Sequence, residues 1–546
     1  MRERAFQELE SVLAESDKLA DQPAVAVKIR ARAANLLWSR DRARARELFR
    51  ALWSDVAAQD EHTAWREAAR TEILKNLFPR DPGLAQEMLK EATGDAPAQE
   101  SGLRAQVTGT DPRTQRITRL SQELVESDAT HAAAMIEQAL ASGVTPGAMS
   151  ALIRLRDQNT QLADYVAAGT FERLKSRPTA VALTGLFIIS DYVFPSSQMA
   201  GDSLLVNPPV ETLRMQYFSA AYEVLQRSLR EPEAALAKEM QYTEQDLRFR
   251  AVYQAQLAAL LAAIAPRLAP QVAPELSALA DKLASGLPPS ISQISQYNSA
   301  RLSGEMPHAA GPEVMIPLLM ARGEFEEAKH LVEKMSDETT RTAYLQTIAR
   351  VEFRNYLAKA ELPQALAAAR AVQDPNPRAM LYVQLASVAD KKGDKEFAKL
   401  VVAEARATLA SSAPDGLRTR ALLLLTADAT SLLPAQEAVE LLQSATASIN
   451  ALSRPATGAD APTPQQAAWA VVNDPLSLMD APELQQAFAA AGRVDFDSTS
   501  FAAHALNEKP VALSARLALA ARWLADDVKP AVAPVVKIAP PGKPAP

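Results

Sequence analysis

Gly323-Glu324-Phe325-Glu326-Glu327-Ala328-Lys329-His330-Leu331-Val332 is the stretch on which the reading of this chain turns. An acidic residue opens it, an alanine follows four residues later, and an aliphatic pair stands three and four residues beyond the alanine. The same frame recurs as Asp394-x3-Ala398-x2-Val401-Val402 and, with proline in the acidic place, as Pro434-x3-Ala438-x2-Leu441-Leu442; a degenerate copy has Glu361 and Ala365. Towards the amino terminus it appears as Asp41-x3-Ala45-x2-Leu48-Phe49, Asp81-x3-Ala85-x2-Met88-Leu89 and Asp128-x3-Ala132-x2-Met135-Ile136. The alanines are 40 and 47 residues apart in the first group and 37, 33 and 40 apart in the second. A recurring period of this length signals stacked units.

The frame has a physical logic. An acidic side chain at a helix start meets exposed backbone N–H groups and the positive end of the helix dipole. A small alanine one turn later lets a neighbouring helix approach, and the bulky pair fills the groove beside it. The reading is therefore all-α, an α-solenoid of antiparallel helical hairpins. Composition agrees: 546 residues hold 18 Gly, no Cys and 5% aromatics against 48% apolar residues. That balance fits poorly with the Gly-rich turns and phosphate loops of dinucleotide-binding or all-β folds.

Within 313–410 the chain resembles the tetratricopeptide family. Gly323 to Ala328 with Val332 and Met335 match that family's turn and second helix, as do Leu385, Ala386, Ala389, Gly393, Asp394, Ala398, Val402 and Ala405, with Tyr356, Ala365 and Ala369 in a middle copy. In the amino-terminal group Arg40 and Arg80 replace the turn glycine and the spacing exceeds the family's 34 residues, so helical-hairpin solenoid is the label there. The resemblance implies a scaffold that grips a protein or peptide on a concave surface.

Changes of composition divide the chain into 1–94, amino-terminal hairpins; 95–113, a linker; 114–285, an irregular helical middle; 286–312, a loop; 313–451, the tetratricopeptide-like block; 452–480, a loop-rich connector; 481–528, carboxyl-terminal capping helices; and 529–546, a Pro-rich tail expected to be disordered. Pro266, Pro270 and Pro274 are expected to chop their stretch into short helical turns. The apolar stretches Val181–Phe194 and Leu257–Ala265 fall short of a bilayer span, so no transmembrane segment is expected.

Few residues suggest chemistry. Without Cys there is no thiol nucleophile or thiolate metal site, and the five His at 62, 131, 308, 330 and 504 are scattered. Gly201-Asp202-Ser203-Leu204 copies the opening block of the GDSL hydrolases, but the oxyanion block is missing and the one Asp-x2-His, Asp128 to His131, lies upstream. Glu327 and His330 have a di-iron spacing without the second pair that chemistry needs. No catalytic, metal or cofactor site is expected, and a formal charge of -7 argues against nucleic acid as a partner.

The tentative partner-binding residues are Arg42, Arg46 and Arg50, which share a helix face, and Trp38, Trp53 and Trp65, the densest aromatic group. Core packing is the default for the tryptophans and ion pairing for the arginines. The expected function is a non-catalytic helical-repeat scaffold binding a protein or peptide partner of unknown identity. The alternatives are an enzyme with its site in 152–283 and a structural component of an envelope or other assembly. As written the chain is expected to be cytoplasmic, or periplasmic or secreted if an export signal precedes Met1; the sequence is silent on oligomeric state.

Overall fold

The computed structural model describes residues 1–19, 21–59, 65–93, 112–125, 128–195, 209–231, 244–287, 312–452 and 473–524. The expected Pro-rich tail, the Gly201-Asp202-Ser203 block, His62, His308 and most of the expected linker and loops lie outside them. All regular structure among the described residues is helical. The fold is all-α, built from consecutive helices that double back on one another across short turns.

The repeated frame does what its chemistry dictates. Ala45, Ala85, Ala132, Ala328, Ala365, Ala398 and Ala438 are all 0% exposed. Beside them Phe49, Met88, Ile136, Val332, Val402 and Leu442 are buried. Asp41, Asp81, Asp128 and Asp394 each cap their helix, accepting from the backbone N–H three residues on at 3.0–3.2 Å. Glu324 and Glu361 make no such bond. Their longer side chain suits the end of the helix dipole better than the short reach of a cap.

Two kinds of turn join the hairpins. In the carboxyl-terminal group Gly323, Ala360 and Gly393 all adopt left-handed backbone, with φ of 76°, 63° and 83°. The residue after each donates its N–H five residues back, to the carbonyls of Leu319, Tyr356 and Ala389 at 2.9–3.0 Å. This is a Schellman closure, and it favours glycine because a Cβ crowds left-handed backbone. Ala360 bears that cost. Ala360→Gly is expected to stabilise the fold by about 0.5–1 kcal/mol, and Gly393→Ala, whose Cβ would meet nothing within 4 Å, to destabilise it by a similar amount, read from urea unfolding midpoints.

The amino-terminal turns are built differently. Asp41, Asp81 and Asp128 donate their N–H to the carbonyls of Leu37, Leu77 and Leu124, only four residues back, at 2.7–2.9 Å. This turn needs no left-handed residue, so Arg40 and Arg80 stand where the other group has glycine. The residue after each leucine, Trp38, Phe78 and Val125, plugs the turn from inside and is buried.

The described chain forms two compact units. One joins 1–76 to the region from 398 onward. In it helix Arg2–Ser16 packs on helix Lys509–Leu524, with Ala5, Leu519 and Ala520 in one cluster beside Phe496. Arg516, buried there, donates through Nη1 to Glu15 at 2.7 Å, through Nη2 to Ser11 at 2.9 Å, and through Nε to Glu8. Within the expected capping region 481–528, helix Lys509–Leu524 is covered on most sides and tied to the first two helices. In the expected loop-rich connector 452–480, Pro475–Asp480 is a 3₁₀ helix with Pro475, Leu478 and Met479 buried.

A charged network crosses this unit. Arg32 donates to Glu72 at 2.9 Å, Asp480 at 2.8 Å, the Met479 carbonyl at 2.9 Å and the Ser514 hydroxyl at 3.3 Å. Burial pushes the Glu72 and Asp480 carboxyls up, but Arg32, together with Lys75 at Glu72 and Lys28 at Asp480, more than offsets it and holds both below their ordinary values. Depressed carboxylates contribute stability that is present above their unfolded values, near pH 4, and is lost as pH falls through the depressed ones. The urea midpoint is therefore expected to fall below about pH 4, and to fall less in an Arg32→Met variant.

The second unit, 77–397, contains the middle region and the helical hairpins of 312–397. Pro266 does not chop its stretch: helix Glu244–Leu268 carries it in the last turn, Pro270 opens a 3₁₀ helix and Pro274 the helix Ala273–Ala284. A proline near a helix start forfeits an N–H that has no partner there anyway. Among the described residues one helix, Leu247–Leu268, is long and apolar enough to cross a membrane. Here Leu257, Leu260, Leu261 and Ala265 are buried, and the helix packs on Thr179–Val193, Glu211–Arg230 and Ala273–Ala284.

Candidate functional site

The residues expected to bind a partner differ in exposure. Trp38 is 9% and Trp53 4% exposed, Trp38 against Phe49 with ring centroids 6.2 Å apart. The Arg70 guanidinium lies 5.5 Å from the Trp53 ring and the Arg42 guanidinium 5.4 Å from the Trp38 ring. Two of the three tryptophans are therefore interior, because one plugs a turn and the other lies on the buried face of helix Arg42–Ala57. Trp65 is half-buried, Arg46 half-buried, and Arg42 and Arg50 are exposed. Neighbouring Arg44 forms a two-point pair with Glu10 at 2.6 and 2.9 Å, and Arg40 meets Glu3 at 3.1 Å.

His330 faces Glu333, at 3.7 Å, rather than Glu327. Among the described residues no three His, Asp or Glu side chains converge as metal ligands would. In the middle region Arg156, Asp164 and Tyr192 come together: Arg156 donates to the Tyr192 hydroxyl at 2.8 Å and to Asp164, and Tyr192 donates to Asp164 at 2.7 Å. Burial, then Asp164, pushes the Tyr192 phenol above its ordinary range. The Arg156 side chain is wholly buried, and the group ties three helices together.

Among the described residues the amino-terminal group of repeats forms a site in the second unit. A cavity of about 290 Å³ opens where helix Pro82–Thr93 stands apart from helix Ala129–Ser142. Gln86, Leu89 and Lys90 line it from the first, and His131, Ala134, Met135 and Gln138 from the second, each set on one helix face. Phe78, the plug of the preceding turn, and Ile117 complete the walls. Phe78, Ile117 and Met135 are buried, whereas Gln86, Lys90 and Gln138 are exposed at the rim.

His131 is held from two directions. Asp128 accepts the His131 backbone N–H at 3.1 Å through Oδ1 and meets ring Nδ1 at 2.6 Å through Oδ2. The Phe78 ring lies 5.7 Å from the imidazole, tilted by 47°. An ionised carboxylate only accepts, so Nδ1 carries the proton of the neutral ring and Nε2 keeps its lone pair. Sequence reasoning met this pair as an Asp-x2-His and passed over it. The usable signal was that Asp128 is a helix cap, which puts a side chain three residues on within reach of its second oxygen.

No protein-family model matches the chain, and no curated protein matches it. Among solved structures it is similar to a circular tandem repeat protein with novel repeat topology and enhanced subunit contact surfaces, at 13% identity over 89% of this chain and 98% of that one. The TM-score is 0.21, so the two superpose weakly and the fold described above rests on this chain's own helices.

Proposed function

We propose that this protein is a helical-repeat scaffold, tetratricopeptide-like over 313–410, which holds a protein or peptide partner and performs no chemistry of its own. The observation that supports the reading is the recurrence of one hairpin device. Left-handed turns at Gly323, Ala360 and Gly393 precede alanines 328, 365 and 398, each fully buried against its neighbours. Repeated hairpins that spend one helix face on each other present the remaining faces as a repeated outer surface, which is how such arrays bind partners. The cavity at His131 lies between hairpins of the amino-terminal group, with apolar walls and amide groups at its rim.

The test is a saturable complex between the purified chain and a purified partner captured from its source cells. Charge reversal at exposed Arg42 and Arg50 is compared with Leu89→Arg in the cavity wall. Weakening of the complex by either change supports the reading and locates the surface. A chain that forms no saturable complex, or that turns over a substrate without one, overturns it.

A further inference from the structure

We infer that the cavity between helices Pro82–Thr93 and Ala129–Ser142 is an anchor pocket for a single tyrosine side chain of the partner. The inference rests on the scaffold reading and names what one of its sites would take. At about 290 Å³ the space is at the small end of the ~300–1,000 Å³ typical of ligand pockets, which suits one ring-bearing group. Phe78, Leu89, Ile117 and Met135 supply an apolar wall for an aromatic body. Phe78 also offers a ring, and aromatic pairs prefer tilted or offset contact of the kind it already makes with His131.

The polar groups select the end of that body. In the neutral form of His131 the contact with Asp128 places the proton on Nδ1 and leaves Nε2 as an acceptor on a cavity-lining ring. An acceptor held this way calls for a ligand donor. Gln86 and Gln138 at the rim carry amides that both donate and accept. A phenol hydroxyl donates and accepts at one atom, so it satisfies the imidazole and an amide together. An indole N–H only donates and an aliphatic or phenylalanine side chain does neither; a carboxylate meets a cation in Lys90 at the rim but sets two acceptors against each other at the Nε2 of the neutral ring. Leaving such a group unmatched carries a desolvation cost.

The probe is N-acetyltyrosinamide, followed by the His131 Cε1–H resonance of the full chain. The five histidines permit assignment by the His131→Phe variant. Saturable binding that moves this resonance, with N-acetylphenylalaninamide about 10-fold weaker, is expected; that ratio corresponds to one net hydrogen bond of ~1.4 kcal/mol. His131→Phe should bring the two probes to equal affinity. Gln138→Leu, which leaves the Asp128 cap untouched, should narrow the gap, with far-UV circular dichroism unchanged in both variants.

Equal affinity of the tyrosine and phenylalanine probes for the unaltered chain overturns the proposal, as does no movement of the His131 resonance at millimolar probe. So does tighter binding of N-acetyltryptophanamide. The partner complex is measured apart from these probes. A complex that forms but is indifferent to His131→Phe sinks the pocket and leaves the scaffold reading standing, whereas a pocket that takes tyrosine in a chain with no macromolecular partner sinks the scaffold reading instead.

Discussion

Arg156→Leu is expected to lower stability by about 3–5 kcal/mol, because it strands Asp164 and the Tyr192 hydroxyl without the charge and donors that compensate their burial. The guanidinium is fully enclosed, so water cannot take its place cheaply. The effect should come from the stranded partner rather than from any large net worth of the ion pair. Replacing both members, as Arg156→Leu with Asp164→Leu, is therefore expected to recover most of the loss. Urea denaturation of the single and double variants checks this. A single variant within 1 kcal/mol of the parent would mean that the triad does not hold these helices.

Removal of helix Arg2–Ser16 is expected to have the other large effect. It takes Ala5, Leu9 and Val12, all 0% exposed, away from helix Lys509–Leu524 and its neighbours. Loss of burial amounts to about 1.5–3 kcal/mol for each of the two larger side chains. It also strips Glu8, Ser11 and Glu15 from buried Arg516, a further cost of about 3–5 kcal/mol. The sum is comparable to the whole stability of a typical domain. The shortened chain should expose hydrophobic surface to a dye such as ANS and become protease-sensitive within 509–524. A shortened chain that keeps its melting transition would show that the last helix finds its cover elsewhere.

Much of the architecture was legible because it is local. The frame Asp-x3-Ala-x2 marks a cap, a small contact and a bulky pair within three turns of one helix, and all seven alanines prove buried. The two turn types were also written in the chain, as glycine at 323 and 393 and as Leu-x3-Asp at 37–41, 77–81 and 124–128. Trp38 was weighed as a partner anchor with core packing as the default, and its place in the turn makes it core. The Asp128–His131 pair was in plain view as a motif, yet its meaning depended on Phe78 and on a gap between two helices, neither of which spacing alone supplies.

The sequence by itself determined that the chain is helical, where the hairpins turn and which alanine faces inward, since each follows from contacts a few residues apart. The tertiary structure alone decided which helix covers which. An amphipathic face fixes that it must be buried without naming the cover. So helix Arg2–Ser16 meets helix Lys509–Leu524, Arg32 draws Glu72 and Asp480 to one point, and two helices of neighbouring hairpins stand far enough apart to leave room for a ring beside His131.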